Sequence, residues 1–288
     1  MTVMKIIDAH HHSWQIRAAH HQWPKPDEAA IYRDFEIRDL TDEAASSQAI
    51  GIDSAPQLVA SVLVQSQPDA RDTAWMLERA AKAPLVQAVV GWADLLADDA
   101  PRQIAALARH PLLRGLRPML QSIPDTDWLL RDDLAPAIYA MIDHGLRLDA
   151  LVQPRHLPML ARFAARYPQL PIVIDHAAKP RIAAAPDAKW RDDMMMLADQ
   201  GLWCKLSGLR TEQSPDQPAD NLTPYAQQII RQFGPRLMWG SDWPVLHLAG
   251  DQWGDWYQQC AAWAAGTIDA ERLFHGAAAE FYSINIKG

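Results

Sequence analysis

Ile6-Ile7-Asp8-Ala9-His10-His11-His12 is a short apolar run that ends in Asp-x-His-x-His within the first dozen residues. Alternate side chains of a strand point the same way. The spacing therefore predicts that His10 and His12 project together from a strand's C-terminal end, on the same side as Asp8. Two imidazoles held that close make a metal site, a proton relay or an oxyanion site. A histidine-rich loop or tag remnant is the plainer alternative. It explains neither the apolar strand leading into the motif nor the matching Asp242 near the far end of the chain.

Seven further apolar runs follow, at 58–64, 85–92, 113–116, 146–152, 171–174, 202–206 and 237–239. They are rich in Val, Ile and Leu without clean alternation, as parallel strands buried on both faces are. Segments with helical spacing lie between most of them, at 69–82, 101–109, 134–144, 158–166 and 187–199. Strand then helix, repeated eight times, predicts an α/β chain folded as a (β/α)8 TIM barrel, with residues 1–288 as a single domain. A doubly wound open sheet is the alternative, but no Gly-rich phosphate turn follows an early strand. The first interval is longer than the others and holds His20-His21-Gln22-Trp23-Pro24, which predicts a loop over the barrel mouth. The Pro-rich segment 212–218 reads as a second lid.

The bulk properties exclude several classes. With 288 residues, nearly half hydrophobic, a sizeable core can be buried. The net charge is −8 with no basic cluster, which argues against nucleic acid and anionic membrane as partners. No apolar stretch approaches the length of a membrane span, and no secretory leader is visible. The two cysteines, Cys204 and Cys260, form neither a disulfide framework nor a metal spacing. The cytoplasm is the expected location, and a homo-oligomer is compatible with this composition. Tryptophan is the outlier at 12 copies. Trp14, Trp92, Trp239 and Trp243 fall at strand ends, where indoles could pack on a sugar ring, although core packing is the usual role of any one of them.

Barrel active sites lie at the C-terminal ends of the strands. Those positions hold His10 and His12, Gln65, Trp92, Arg117, Arg155 and His156, Asp175 and His176, Lys205 and Ser207, and Asp242. Asp175 could orient a neighbour as easily as act, and Lys205 could pair with a carboxylate inside the barrel. His10, His12, His176 and Asp242 occupy matching positions on strands one, six and eight.

As a set, these segments resemble the sugar-lactonase branch of the amidohydrolase superfamily. The resemblance rests on DAHHHSW at 8–14, GLRP at 115–118, LVQPRHLP at 151–158, IDHAAKP at 174–180, CKLSGL at 204–209, WGSDWPV at 239–245 and the FY at 281–282. It implies a hydrolase that opens a sugar-acid lactone, such as L-fucono- or L-rhamnono-lactone, to the aldonate. By motif match, His10, His12, His176 and Asp242 would be catalytic, and the same four would hold one divalent metal, zinc first, if one is needed at all. Asp242 would deprotonate the attacking water, given an environment that raises its pKa. Arg117 would grip a substrate carbonyl or carboxylate. Gln65, Arg155 and His156 would bind hydroxyls, and Trp14, Trp92 and Trp243 would pack on the ring. Binuclear relatives carry a modified lysine on the fourth strand. Segment 113–118 has none, so a bridged metal pair is not expected. A metal-dependent decarboxylase of the same superfamily, with Arg117 and Arg155 gripping an acidic substrate, and a non-catalytic sugar-binding barrel are the competing functions.

Overall fold

The structure, a computed structural model, describes residues 3–49, 56–183, 185–214 and 216–286. Eight parallel strands follow one another around one sheet: β1 (Lys5–His11), β2 (Gln57–Val64), β3 (Val86–Gly91), β4 (Leu113–Leu116), β5 (Arg147–Ala150), β6 (Ile172–Ile174), β7 (Trp203–Leu206) and β8 (Leu237–Trp239). Around them run α1 (Ile37–Ala49), α2 (Ala70–Ala80), α3 (Ala100–Ala108), α4 (Ala135–Asp143), α5 (Leu157–Arg166), α6 (Ala188–Asp199), α7 (Thr223–Phe233), α8 (Trp253–Ala264) and α9 (Ala277–Tyr282). The expected barrel is present, and every strand falls within or beside an apolar run of the sequence.

Two apolar layers explain why the runs lack alternation. One side of the strands sends Ile6, Leu63, Leu148, Cys204 and Trp239 toward the helices. The other fills the barrel with Ile7, Ala9, Ala60, Val62, Ala88 and Met238, closed off by Phe281 and Tyr282 of α9. Both faces are dry, so both want apolar residues. Small side chains such as Ala9, Ala60 and Ala88 suit the narrow interior of an eight-stranded barrel.

The long first connection packs back onto the C-terminal ends of the strands. Trp14 and Phe35 exchange backbone hydrogen bonds of 3.1 and 3.0 Å. The Gln67 side chain, just past β2, accepts from the backbone N–H groups of Gln22 and Trp23 and donates to the Trp23 carbonyl at 2.6 Å. In the second expected lid, Lys179 pairs with Glu212 and Gln217 donates to the Ile182 carbonyl; position 215 lies outside the described residues. Among the described residues, no helix is long and apolar enough to cross a membrane. Cys204 and Cys260 are buried free thiols.

Candidate active site

The barrel closes through its own reactive residues. Past β8, the Asp242 N–H donates to the His10 carbonyl at 2.8 Å, and the His12 N–H donates to the Trp243 carbonyl at 2.7 Å. The seam between last and first strands is thus made by the residues that carry the chemistry. Asp242 takes a left-handed backbone with φ 58°, which Asp and Asn tolerate better than most side chains.

Asp8 departs from expectation. The β1–β2 register slips between Asp8 and His11, where three residues of β1 span two of β2. This bulge reverses the inside–outside phase. Asp8 faces the helix layer, while His10 and His12 turn to the site. The Asp8 carboxylate accepts from the Ser241 N–H at 2.9 Å, the Ser241 hydroxyl at 2.6 Å and Trp253 Nε1 at 3.1 Å. It braces the turn that presents Asp242. Burial pushes its pKa up to about 6 against the pull of these donors.

Four side chains converge at the seam. His10 Nε2 lies 3.2 Å from His12 Nε2, and Asp242 Oδ1 lies 3.3, 3.7 and 3.8 Å from Nε2 of His12, His10 and His176. His12 Nδ1 is 2.8 Å from the Val64 carbonyl, which only accepts, so its proton is on Nδ1 and its Nε2 lone pair faces the cluster. His176 Nδ1 meets the Ser207 hydroxyl at 2.9 Å. His176 opens a run of four left-handed residues, His176 to Lys179, with φ between 50° and 63°. None is glycine, and each costs about 1–2 kcal/mol. The strained turn swings the imidazole off the end of β6 and over Asp242.

These distances fit one divalent cation. Ligand atoms bound tetrahedrally at 2.0–2.1 Å sit about 3.3 Å apart. A lone pair of His12 aimed at a carboxylate oxygen also calls for a cation or a proton between them. His10, His12 and Asp242 form the group that could hold the ion, with His176 alongside. A second group, His10 with Asp175 and His176, is less apt because Asp175 is already engaged. Its Oδ1 lies 3.0 Å from Lys205 Nζ and 3.4 Å from His10 Nδ1, and its Oδ2 accepts from Arg117 at 3.3 Å.

Beneath the cluster lies a dry layer of charge. Lys205 Nζ donates to Asp149 Oδ2 at 2.6 Å and meets His10 Nδ1 at 3.1 Å, and the Tyr282 hydroxyl donates to Asp149 at 2.6 Å. All five of Lys205, Asp149, Asp175, His10 and Tyr282 have no solvent exposure. The carboxylate partner expected for Lys205 is present, and twice over. Asp149 went unread in the sequence. Its signal was a carboxylate at an inward position of β5.

Electrostatics correct one expectation. Burial raises the Asp242 pKa, but the imidazoles of His176, His12 and His10 outweigh it and hold the carboxyl below its usual range. It is not tuned upward. Burial also lowers His176 to about 4 and, with the charge of Lys205, holds His10 well below its ordinary value.

The expected substrate contacts divide. Arg117 reaches the cluster, with Nη1 3.4 Å from His10 Nε2 and Nη2 bonded to the Gln65 carbonyl. Gln65 Nε2 donates to the Arg117 carbonyl at 2.8 Å, leaving Oε1 without a protein partner. His156 is buried, with Nδ1 accepting from the Gln153 N–H and Nε2 unpartnered. Trp92 is half-buried and lines a cavity of about 250 Å³ with Met119, Ile123 and Trp128. Trp14 and Trp243 are not platforms. Trp243 is fully buried, packs edge-on against Phe35 and donates to Glu43 at 2.9 Å. Trp14 is 2% exposed and donates to the Arg33 carbonyl. Trp239 is likewise sealed, against Trp253. Arg155 is exposed and clamps the 121–126 loop through the carbonyls of Gln121, Ile123 and Pro124 and the Thr126 hydroxyl.

The family described as Amidohydrolase matches residues 7–284. An L-fucono-1,5-lactonase of Burkholderia ambifaria is 46% identical over 286 residues, covering 97% of this chain and 96% of that protein. An L-fucono-1,5-lactonase of Burkholderia multivorans is 34% identical, covering 96% of each chain. A crystal structure of an amidohydrolase from Burkholderia multivorans with bound zinc superposes with a TM-score of 0.86 at 33% identity, covering 97% of this chain and 99% of that one.

Proposed function

The chain belongs to the amidohydrolase family, and from that premise we propose that it hydrolyses a sugar 1,5-lactone, with L-fucono-1,5-lactone the leading substrate. The observation that carries the reading is the 46% identity to an L-fucono-1,5-lactonase along nearly the whole of both chains. The site chemistry suits it. Ester hydrolysis needs a water, a base, and donors where negative charge develops on the carbonyl oxygen.

Asp242 is the base. Ionised and held at 3.3–3.8 Å from three imidazoles, it accepts the proton of a water poised against the lactone carbonyl. Attack makes a tetrahedral carbon whose oxyanion faces His10, His176 and Arg117. Collapse breaks the ring C–O bond, and the proton held by Asp242 passes to the departing hydroxyl. A zinc ion held by His10, His12 and Asp242 would, when bound, polarise the carbonyl as a Lewis acid. Gln65 Oε1 and His156 Nε2, two of the buried polar atoms without a protein partner, would take substrate hydroxyls, and Trp92 would cover an apolar edge of the ring.

A decarboxylase reading gains nothing here. Arg155 is turned to loop carbonyls, so of the two cations expected to grip an acidic substrate only Arg117 faces the site.

A pH-indicator assay over five- and six-membered aldonolactones, with and without zinc or manganese, tests the reading. L-fucono-1,5-lactone should be among the best substrates, and phosphorylated lactones should be poor. Carbon dioxide release, or no turnover of any aldonolactone, would overturn it.

A further inference from the structure

We propose that Lys205 is a positioning residue that fixes the proton of His10 on Nε2, making His10 a hydrogen-bond donor to the site and weakening its hold on a divalent ion. The argument begins with donor counting. An ammonium has three N–H donors and accepts nothing. Lys205 Nζ, sealed from solvent, hydrogen-bonds to Asp149 Oδ2 at 2.6 Å and to His10 Nδ1 at 3.1 Å, and forms an ion pair with Asp175 Oδ1 at 3.0 Å. The bond to His10 exists only if its Nδ1 carries a lone pair.

The proton of a neutral His10 is then on Nε2, 3.2 Å from His12 Nε2. In a neutral His12 that atom is an acceptor, because Nδ1 is committed to the Val64 carbonyl. The chain of donors runs one way, from Lys205 through His10 and His12 to a backbone oxygen, and each link is satisfied.

The other tautomer fits less well. With the proton on Nδ1, His10 would donate to Asp175 Oδ1 at 3.4 Å and accept from Arg117 Nη1 at 3.4 Å. Both contacts are longer, and Arg117 already has Asp175 Oδ2 and the Gln65 carbonyl as acceptors. One Lys205 donor would face an N–H, and the His12 lone pair would have no donor. A divalent ion nonetheless demands this arrangement, since it needs the Nε2 lone pair. Lys205 therefore opposes the ion, while Asp175, ready to receive the Nδ1 proton, permits it. The seam is left able to work with a proton where a tighter metal centre would not.

What the Nε2–H does in turnover rests on the lactone-hydrolase reading; where the proton sits does not. Long-range ¹H–¹⁵N spectra of histidine-labelled, metal-free protein decide it directly. Wild type should show His10 protonated on Nε2, and Nδ1 protonation would overturn the proposal without any variant. Lys205→Met combined with Asp149→Asn removes one buried charge of each sign. In this variant His10 should shift its proton to Nδ1, and zinc, titrated against a chelator, should bind at least about tenfold tighter than to wild type. An unchanged tautomer with unchanged zinc affinity overturns the proposal. If the double variant does not fold, the wild-type spectrum still decides. Both readouts are independent of which lactone, if any, is hydrolysed.

Discussion

A Cβ placed on Gly208 would stand 2.4 Å from Nδ1 of His176 and 3.1 Å from Oδ2 of Asp242. Gly208 also has φ 61°, so glycine is required there twice over, by backbone and by space. Gly208→Ala should displace the imidazole by about an ångström and reduce kcat at least about a hundredfold. Gly234 also has a positive φ, 48° with ψ −120°, and nothing near its missing Cβ. Gly234→Ala should cost stability, about 1–3 kcal/mol, and leave kcat within about twofold. Equal losses of activity in the two variants would show that strain, not the His176 contact, is what matters.

Asp242→Asn should abolish turnover while the barrel stays folded. Asparagine accepts the left-handed backbone at φ 58° and keeps the N–H that closes the seam onto His10. It cannot take a proton from water. A loss in kcat of at least about a hundredfold is expected for removing a general base, with near-wild-type circular dichroism. Retention of most of the rate would remove Asp242 from the mechanism.

The periodicity of the sequence suffices for the eight strands and for the convergence of His10, His12, His176 and Asp242, because a parallel barrel places every strand end on one rim. It does not suffice for Asp8, since a bulge leaves no mark in a run of seven residues. It misleads on the indoles as well. Trp14 and Trp243 follow strand ends, but the long first loop folds over them and Phe35 and Glu43 seal the Trp243 ring. That cover comes from α1 and the segment before it, far away in sequence. Asp149 was hidden for the opposite reason: its partner, Lys205, lies two strands away on β7.

The two kinds of indole should separate under mutation. Trp243→Ala removes a fully buried ring and one of the donors to Glu43, so it should lower stability by about 3–5 kcal/mol and reduce activity on every lactone alike. Trp92→Ala opens a half-exposed cavity wall. It should leave the melting temperature nearly unchanged and raise KM for sugar lactones more than for an unsubstituted aliphatic lactone. Unfolding curves and KM values for the two substrates check both. A selective loss of sugar lactones in Trp243→Ala, with stability intact, would return that ring to the substrate site.

Asp72 should make the fold sensitive to pH. It sits in the first turn of α2, 1% exposed, accepting long hydrogen bonds of 3.4 and 3.3 Å from the N–H groups of Ser66 and Gln67, with His20 Nε2 3.5 Å from its other oxygen. Burial pushes its pKa up to about 7, with Asp69 adding to the rise and the backbone donors and Arg117 opposing it. In the unfolded chain the carboxyl ionises from about 3.9 upward. Between those values the unfolded state has released a proton that the folded state keeps, so folding stability falls as pH rises through the window. About three pH units at 1.4 kcal/mol each set an upper bound of about 4 kcal/mol on the loss. An asparagine side chain in its place does not titrate and can still accept from Ser66 and Gln67. Asp72→Asn should therefore match wild type in urea unfolding at pH 4 and exceed it increasingly up to pH 8. A stability difference that is constant across that range, or that shrinks as pH rises, would mean that Asp72 is ionised throughout and that His20 neutralises it.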